Sequence, residues 1–157
     1  MKYGHFDDEN REYVIENPKM LDRYDILAMP GGFSYGDDTG SGRAYGNKIV
    51  NNLSRELKRF VKRDTLIIGI CNGFQILTKT GLLPGALLHN DSARYIDRWV
   101  DLEITGDGPW LKGIKSLSVP VAHGEGKYYA NKKTLTELRM LNQIVGKYVK
   151  GETSKHF

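Results

Sequence analysis

The sequence contains one cysteine, Cys71, and no long hydrophobic run. One cysteine cannot form a disulfide within the chain, and a lack of disulfides is typical of reducing compartments, so we expect a cytoplasmic protein. No apolar stretch approaches the roughly 18 residues of a membrane-spanning helix, and the N-terminal segment is too acidic and polar for a signal peptide. We therefore predict no membrane partner.

The chain also lacks the charge pattern of a nucleic-acid-binding protein. Its net charge of +4 and pI near 9.1 come from dispersed lysines and arginines. In the segment 54–63 the basic residues alternate with acids and apolar residues, as on a solvated helix face. No basic–aromatic stripe accompanies the charge, so we predict no nucleic-acid partner.

The first half of the chain has the pattern of an α/β fold. Residues 25–29 and 65–70 are short apolar runs typical of strands buried in a parallel sheet. Between them, four apolar residues recur at steps of four, four and three, which predicts a helix: Ile49, Leu53, Leu57 and Phe60. A second helix is predicted from Asn72, with Gly81 and Pro84 as stop signals.

The second half has a different pattern. Residues 93–104 and 116–130 are predicted to form strands, residues 131–143 a helix and residues 144–149 a last strand. Neither an internal repeat nor a linker divides the chain, and 157 residues suffice for one core. We therefore predict a single domain over residues 1–157.

The cysteine lies in the sequence "GICNG", between the second predicted strand and the helix after it. Gly69 and Gly73 flank Cys71 with the spacing of a nucleophile elbow, in which a sharp strand-to-helix turn leaves no room for neighbouring side chains. The N-terminus of the helix favours a thiolate, which is the nucleophilic form of cysteine. The alternative is a small buried cysteine with a packing role only.

A second glycine cluster favours the catalytic interpretation. Gly31 and Gly32 follow the other strong strand, and parallel strands end at the same edge of a sheet. Backbone N–H groups of this loop and of Asn72 can stabilise an oxyanion that develops beside the cysteine. The combination predicts acyl transfer through a thioester.

Four segments together resemble one enzyme family: "MPGGFSYGD", "GICNGFQIL", "GLLPGALLHNDSARY" and "PVAHGEGKYYA". The chain is similar to the PurQ-type glutaminase subunit of phosphoribosylformylglycinamidine synthase, within the class I glutamine amidotransferases. The resemblance runs from about Tyr24 to near the C-terminus. It implies a three-layer fold, an open and mostly parallel sheet with helices on both faces.

The resemblance also implies an activity in purine biosynthesis. Cys71 would attack the side-chain amide of glutamine, form a thioester and release ammonia. The ammonia would pass to a large synthetase subunit, with a small accessory subunit as a further partner. We expect no cofactor or metal in this chain, and expect ATP and Mg on the synthetase subunit.

Further site residues carry over from the family by position. Gly31 and Gly32 match the oxyanion loop, and Gln75 matches a glutamine that contacts the substrate. Asn90, Ser92 and Arg94 match an N-x-S-x-R motif that lies close to the site. Without the resemblance, the same three residues are a polar turn that enters a strand.

The chain departs from the family pattern at both ends. The family begins with a strand, a glycine-rich loop and a helix that we do not identify here, and it ends with Pro-His-Pro-Glu, which supplies the general base. The C-terminal "GETSKHF", with His156, does not contain that motif. We therefore expect a domain truncated at both ends, with little or no glutaminase activity of its own.

His123 and Glu125 have the same His-x-Glu spacing and are an alternative base pair. The resemblance favours another role for them, because "AHGEG" matches a separate motif upstream of the catalytic pair. Two other functions therefore remain open: a thiol hydrolase that uses Cys71 with His123, and an interaction domain without catalysis.

Overall fold

The computed structural model describes residues 3–5, 14–32 and 42–150, with side chains for the second and third of these ranges. The chain divides into two units, residues 1–86 and 87–157, and each is described by itself. The expected single domain stays a prediction. The glycines of the segment 33–47 predict a loop there, and residues 33–41 of it lie outside the described residues, as does the C-terminal segment with His156.

The first unit contains a parallel sheet whose strands follow one another in the order β1-β2-β3. The strands are β1 Tyr3–His5, β2 Ile26–Met29 and β3 Leu66–Gly69. A 3-10 helix precedes β2, α1 connects β2 to β3, and α2 follows β3: Pro18–Arg23, Arg43–Val61 and Asn72–Lys79. Parallel pairing of β2 with β3 across a helix confirms the predicted α/β class.

Helix α1 provides much of the core of the first unit. All four apolar residues predicted for its inner face are at most 2% exposed: Ile49, Leu53, Leu57 and Phe60. They pack in one cluster with Leu27 and Met29 of β2 and with Ile76 and Leu77 of α2. This cluster fixes the sheet and the two helices relative to one another.

Two features of the sheet differ from the sequence-based expectation. We identified no strand ahead of Asp25, yet β1 pairs in parallel with β2; three residues with a glycine among them are too short for a periodic signal. The residues of β3 are half-buried, not fully buried as expected. The reason is that β3, in the described part of the chain, pairs with β2 alone and forms an edge of the sheet.

The second unit is built on antiparallel pairing. Its elements are β4 Ala86–Leu88, β5 Ile96–Ile104, β6 Ser116–His123, β7 Lys127–Tyr129, α3 Lys132–Met140 and β8 Gly146–Val149. The boundary between the two units falls within β4, after Ala86. β5 lies between β6 and β8 and pairs antiparallel with both, while β4 pairs with β7. The predicted strands and helix are confirmed, with the segment 116–130 divided into β6 and β7; β4 was not identified from the sequence. Over the described residues, no helix has the length and apolar character to cross a bilayer.

Candidate active site

Cys71 occupies a sharp turn between β3 and α2. It is exposed, and its backbone angles are φ 54° and ψ −113°. A positive φ is strained for any residue with a Cβ, and such strain concentrates at functional sites. The geometry is that of the expected nucleophile elbow, and the alternative of a buried packing cysteine is wrong.

The two flanking glycines leave no space for a side chain. A Cβ added to Gly73 would lie 2.0 Å from the carbonyl oxygen of Met29, at the end of β2. A Cβ added to Gly69 would lie 2.5 Å from Cδ1 of Leu77 and 2.9 Å from the backbone of Gly73. The glycines therefore allow α2 to begin directly against the sheet, which fixes the position of Cys71.

Backbone hydrogen bonds hold the turn from both sides. The N–H of Ile70 donates to the carbonyl of Met29 over 2.9 Å, which continues the β2–β3 pairing to the edge of the turn. On the helix side, the N–H groups of Phe74 and Gln75 donate to the carbonyl of Cys71, at 3.0 and 3.2 Å. The strained conformation of Cys71 is thus determined by its neighbours.

The glycine loop after β2 lies beside the thiol, as the parallel topology predicts. A Cβ built on Gly31 would be 3.2 Å from Cβ of Cys71 and 3.8 Å from its Sγ. Gly32 has φ 126°, a conformation that side chains rarely permit. The backbone of this loop therefore approaches the sulfur closely, although the oxyanion role of Gly31, Gly32 and Asn72 stays a prediction.

Gln75 is buried on α2, one turn after the cysteine. Its Oε1 accepts a hydrogen bond of 3.0 Å from Nδ2 of Asn72, which is itself 1% exposed. The side chain of Asn72 therefore positions Gln75, a function that sequence reasoning missed because it considered only the backbone of Asn72. Contact of Gln75 with a substrate stays a prediction.

Two further glycines bring α1 against α2 at this point. A Cβ on Gly42 would lie 3.2 Å from Cβ of Gln75, and one on Gly46 would lie 2.7 Å from Cβ of Lys79. Gly42 is the N-cap residue of α1, with φ 67°, and its carbonyl accepts from the N–H of Gly46 in the first turn at 2.9 Å. The expected loop over residues 33–47 is therefore shorter, because α1 already begins at Arg43 and Gly42 and Gly46 permit close helix packing.

In the second unit, Asn90 connects the N-x-S-x-R motif to the segment "AHGEG". It is 7% exposed, and its Nδ2 donates to the carbonyl oxygens of Arg94 and His123, both at 2.8 Å. Its Oδ1 accepts from the N–H of Gly126 at 3.2 Å and contacts Nδ1 of His123 at 2.9 Å. Both donor and both acceptor positions of the Asn90 amide are therefore used in hydrogen bonds within the protein. This favours a structural role over direct substrate binding.

These contacts also determine the tautomer of His123. Because Oδ1 of Asn90 accepts from the N–H of Gly126, it is the acceptor oxygen, and Nδ1 of His123 must donate to it. The neutral ring then carries its lone pair on Nε2. The ring lies on the backbone of Gly126, where an added Cβ would be 2.1 Å from Nδ1.

The alternative base pair is not joined in the structure. β6 ends at His123, and Glu125 lies in the following turn, where its carboxylate is 3.5 Å from Nε2 of His89. The orienting contact of His123 comes from Asn90, not from Glu125. The two residues do not share the face of a strand, as a His–Glu pair was expected to do.

Ser92 and Arg94 are exposed members of the turn that Asn90 fixes. The hydroxyl oxygen of Ser92 accepts from the N–H of Arg94 at 3.3 Å. Between them, Ala93 has a positive φ of 51°. The N-x-S-x-R motif is therefore a local turn within the second unit, and the proposed contact of these residues with a substrate stays a prediction.

The chain is similar to known proteins over most of its length. Residues 5–156 match a family described as a CobB/CobQ-like glutamine amidotransferase domain. The phosphoribosylformylglycinamidine synthase subunit PurQ of Methanococcus maripaludis strain C7 is 47% identical over 150 residues, which cover 88% of this chain. The PurQ subunit of Staphylococcus saprophyticus is 40% identical over 146 residues, or 90% of this chain.

A solved structure shares the fold as well as the sequence. A chain of the structure described as PurLQS from Thermotoga maritima matches 99% of this chain and 79% of its own length, with a TM-score of 0.69 and 32% identity. The chain spans 55% and 64% of the length of the two curated relatives.

Proposed function

Because the chain belongs to the CobB/CobQ-like glutamine amidotransferase domain family, we propose that it is the glutaminase part of a phosphoribosylformylglycinamidine synthase. The single observation that carries the proposal is the conformation of Cys71, exposed and held at φ 54° between β3 and α2. A packing cysteine has no need of that strain, whereas a nucleophile must project from the end of the sheet.

The chemistry is transfer of the γ-glutamyl group. The sulfur of Cys71 bonds to the carbonyl carbon of the glutamine side chain, and the C–N bond then breaks. The nitrogen leaves as ammonia after it takes up a proton, and water hydrolyses the thioester to glutamate and regenerates the thiol. Both proton transfers need the histidine of the family's C-terminal Pro-His-Pro-Glu, which this sequence does not contain. Backbone N–H groups at Gly31, Gly32 and Asn72 stabilise the tetrahedral oxyanion. Gln75, oriented by Asn72, binds the substrate.

The ammonia passes to a large synthetase subunit that carries ATP and Mg and makes the amidine. A small accessory subunit completes the complex. A shielded path is required because ammonia in neutral water is mostly protonated, and the ammonium ion is not a nucleophile. Support for the partnership comes from the names of the relatives and from the solved complex.

The two other candidates are weaker. A thiol hydrolase with the pair His123 and Glu125 is not supported by a contact between them, because the ring of His123 donates to Asn90 and the carboxylate of Glu125 lies beside His89. A purely interacting domain does not account for the strain at Cys71. No contact among the described residues joins His123 to Glu125, and none identifies a purely interacting domain.

The test uses a catalytically complete form of the protein, with the family's C-terminal Pro-His-Pro-Glu segment, together with the synthetase subunit. A glutamine analogue with an electrophilic carbon in place of the amide should label Cys71, and Cys71→Ala should abolish labelling and glutamine-dependent synthesis. Synthesis from added ammonium salt should continue, because only the ammonia source is lost. Glutamine-dependent synthesis that survives Cys71→Ala would contradict the proposal.

A further inference from the structure

The second unit contains a cleft of about 770 Å³ that the proposed glutaminase chemistry does not use. One face of the antiparallel sheet forms much of it, since Ile96 pairs with His123, Arg98 with Val121 and Val100 with Val119. Residues directly opposite one another on paired strands project to the same side. The cleft thus has an apolar floor with an imidazole at one end.

The cleft is positively charged. Three cations line it, Arg98, Lys127 and Lys150, against the single carboxylate of Asp91. Lys127 forms an ion pair with Asp91, whereas Arg98 and Lys150 have no ion pair in the described part of the chain. Two cations beside an apolar floor fit a ligand that carries both carboxylates and apolar groups.

The exposed aromatic residues indicate a macromolecular ligand. Tyr148, 72% exposed, lies on the face of the sheet that forms the cleft, and Trp99, 46% exposed, borders the cleft from the other face of β5. A small-molecule site encloses most of its ligand. Exposed Trp, Tyr and Arg beside an apolar floor are instead typical of the centre of a protein interface.

His123 adds a hydrogen-bond acceptor to this surface. The contact with Asn90 leaves the ring lone pair on Nε2, which has no partner among residues 14–32 and 42–150. In this tautomer Nε2 can accept a hydrogen bond from a donor such as a backbone N–H. An extended peptide offers N–H groups and carboxylates at once.

We infer that the cleft is the docking site for an acidic, extended segment of the synthetase subunit, with Asn90 as the residue that positions His123. This inference rests on the proposed function, because it takes the partner from there. Carboxylates of the segment pair with Arg98 and Lys150, its apolar residues cover Val100 and Tyr148, and one of its N–H groups donates to His123.

The test measures the Kd between the chain and the synthetase subunit by calorimetry at low and at high salt. The double variant Arg98→Glu, Lys150→Glu should bind at least about tenfold more weakly, and Arg98→Gln, Lys150→Gln should lie between it and wild type. Lys147→Glu is the matched control, because Lys147 pairs with Glu103 on the opposite face of the same sheet. It should bind as wild type does.

The outcomes separate the two proposals. If wild type binds the subunit and both double variants bind equally well, the docking site is wrong while the proposed function stands. If Lys147→Glu weakens binding as much as the double glutamate variant, general charge explains the effect and the cleft is not the site. If wild type does not bind the subunit, the partnership itself fails and the inference fails with it. Labelling of Cys71 by the glutamine analogue tests the glutaminase chemistry independently.

Discussion

The strain at Cys71 can be measured by comparing two substitutions at the same position. Cys71→Ala and Cys71→Gly both remove the thiol, but alanine retains the Cβ that makes φ 54° unfavourable. Glycine adopts this region freely. We expect the glycine variant to be the more stable of the two.

The magnitude follows from two opposing terms. A residue with a Cβ at such a φ costs about 1–3 kcal/mol, and glycine recovers that cost. Glycine also loses more backbone entropy on folding, by about 0.5–1 kcal/mol. The difference leaves Cys71→Gly more stable than Cys71→Ala by about 1 kcal/mol, within a range of about 0–2.5 kcal/mol.

The assay is urea unfolding followed by far-UV circular dichroism. The helical signal comes mainly from the first unit, because α1 and α2 have 19 and 8 residues against 9 in α3. Ile70 provides the matched control: it is the adjacent residue, 57% exposed, and does not have a positive φ. There Ile70→Ala should be more stable than Ile70→Gly by about 0.5–1 kcal/mol.

The prediction is therefore that the stability difference between the glycine and the alanine variant changes sign between position 70 and position 71. If alanine is the more stable substitution at both, Cys71 is not strained and the elbow interpretation loses its physical basis. If glycine is more stable at both, the effect is not specific to the turn. Neither Cys71→Ala nor Cys71→Gly should be labelled by the glutamine analogue, because both lack the thiol.

Three other substitutions test the packing and the site. Gly73→Ala should destabilise the first unit by about 1–3 kcal/mol through overpacking. Gly108→Ala meets open space without a positive φ and should cost much less, so equal costs in urea would contradict the packing argument. Asn90→Ala removes four hydrogen-bonding contacts and should lower the free energy of unfolding of the second unit by about 2–4 kcal/mol. Unfolding is followed by tryptophan fluorescence, and a loss of stability well below about 1 kcal/mol would refute the structural role of Asn90. Gln75→Ala should raise the KM for glutamine more than it lowers kcat, and a fall in kcat with unchanged KM would contradict substrate binding by Gln75.

Periodic apolar residues determined the elements of the first unit. The spacing of Ile49, Leu53, Leu57 and Phe60 was sufficient to place α1 and its buried face, because helical periodicity depends on local sequence. The "GICNG" pattern likewise placed Cys71 at a strand-to-helix turn. Short elements such as β1 and β4 were missed, since three residues do not show a period.

What only the tertiary structure decided depends on contacts between residues distant in sequence. That Gly73 must be a glycine follows from the carbonyl of Met29, 44 positions earlier, and the tautomer of His123 follows from Asn90, 33 positions earlier. The cleft requires strands β5, β6 and β8 to be paired in register before Arg98 and His123 share a face. Sequence patterns report local conformation, whereas close approach and hydrogen-bond polarity are set only once the strands are assembled.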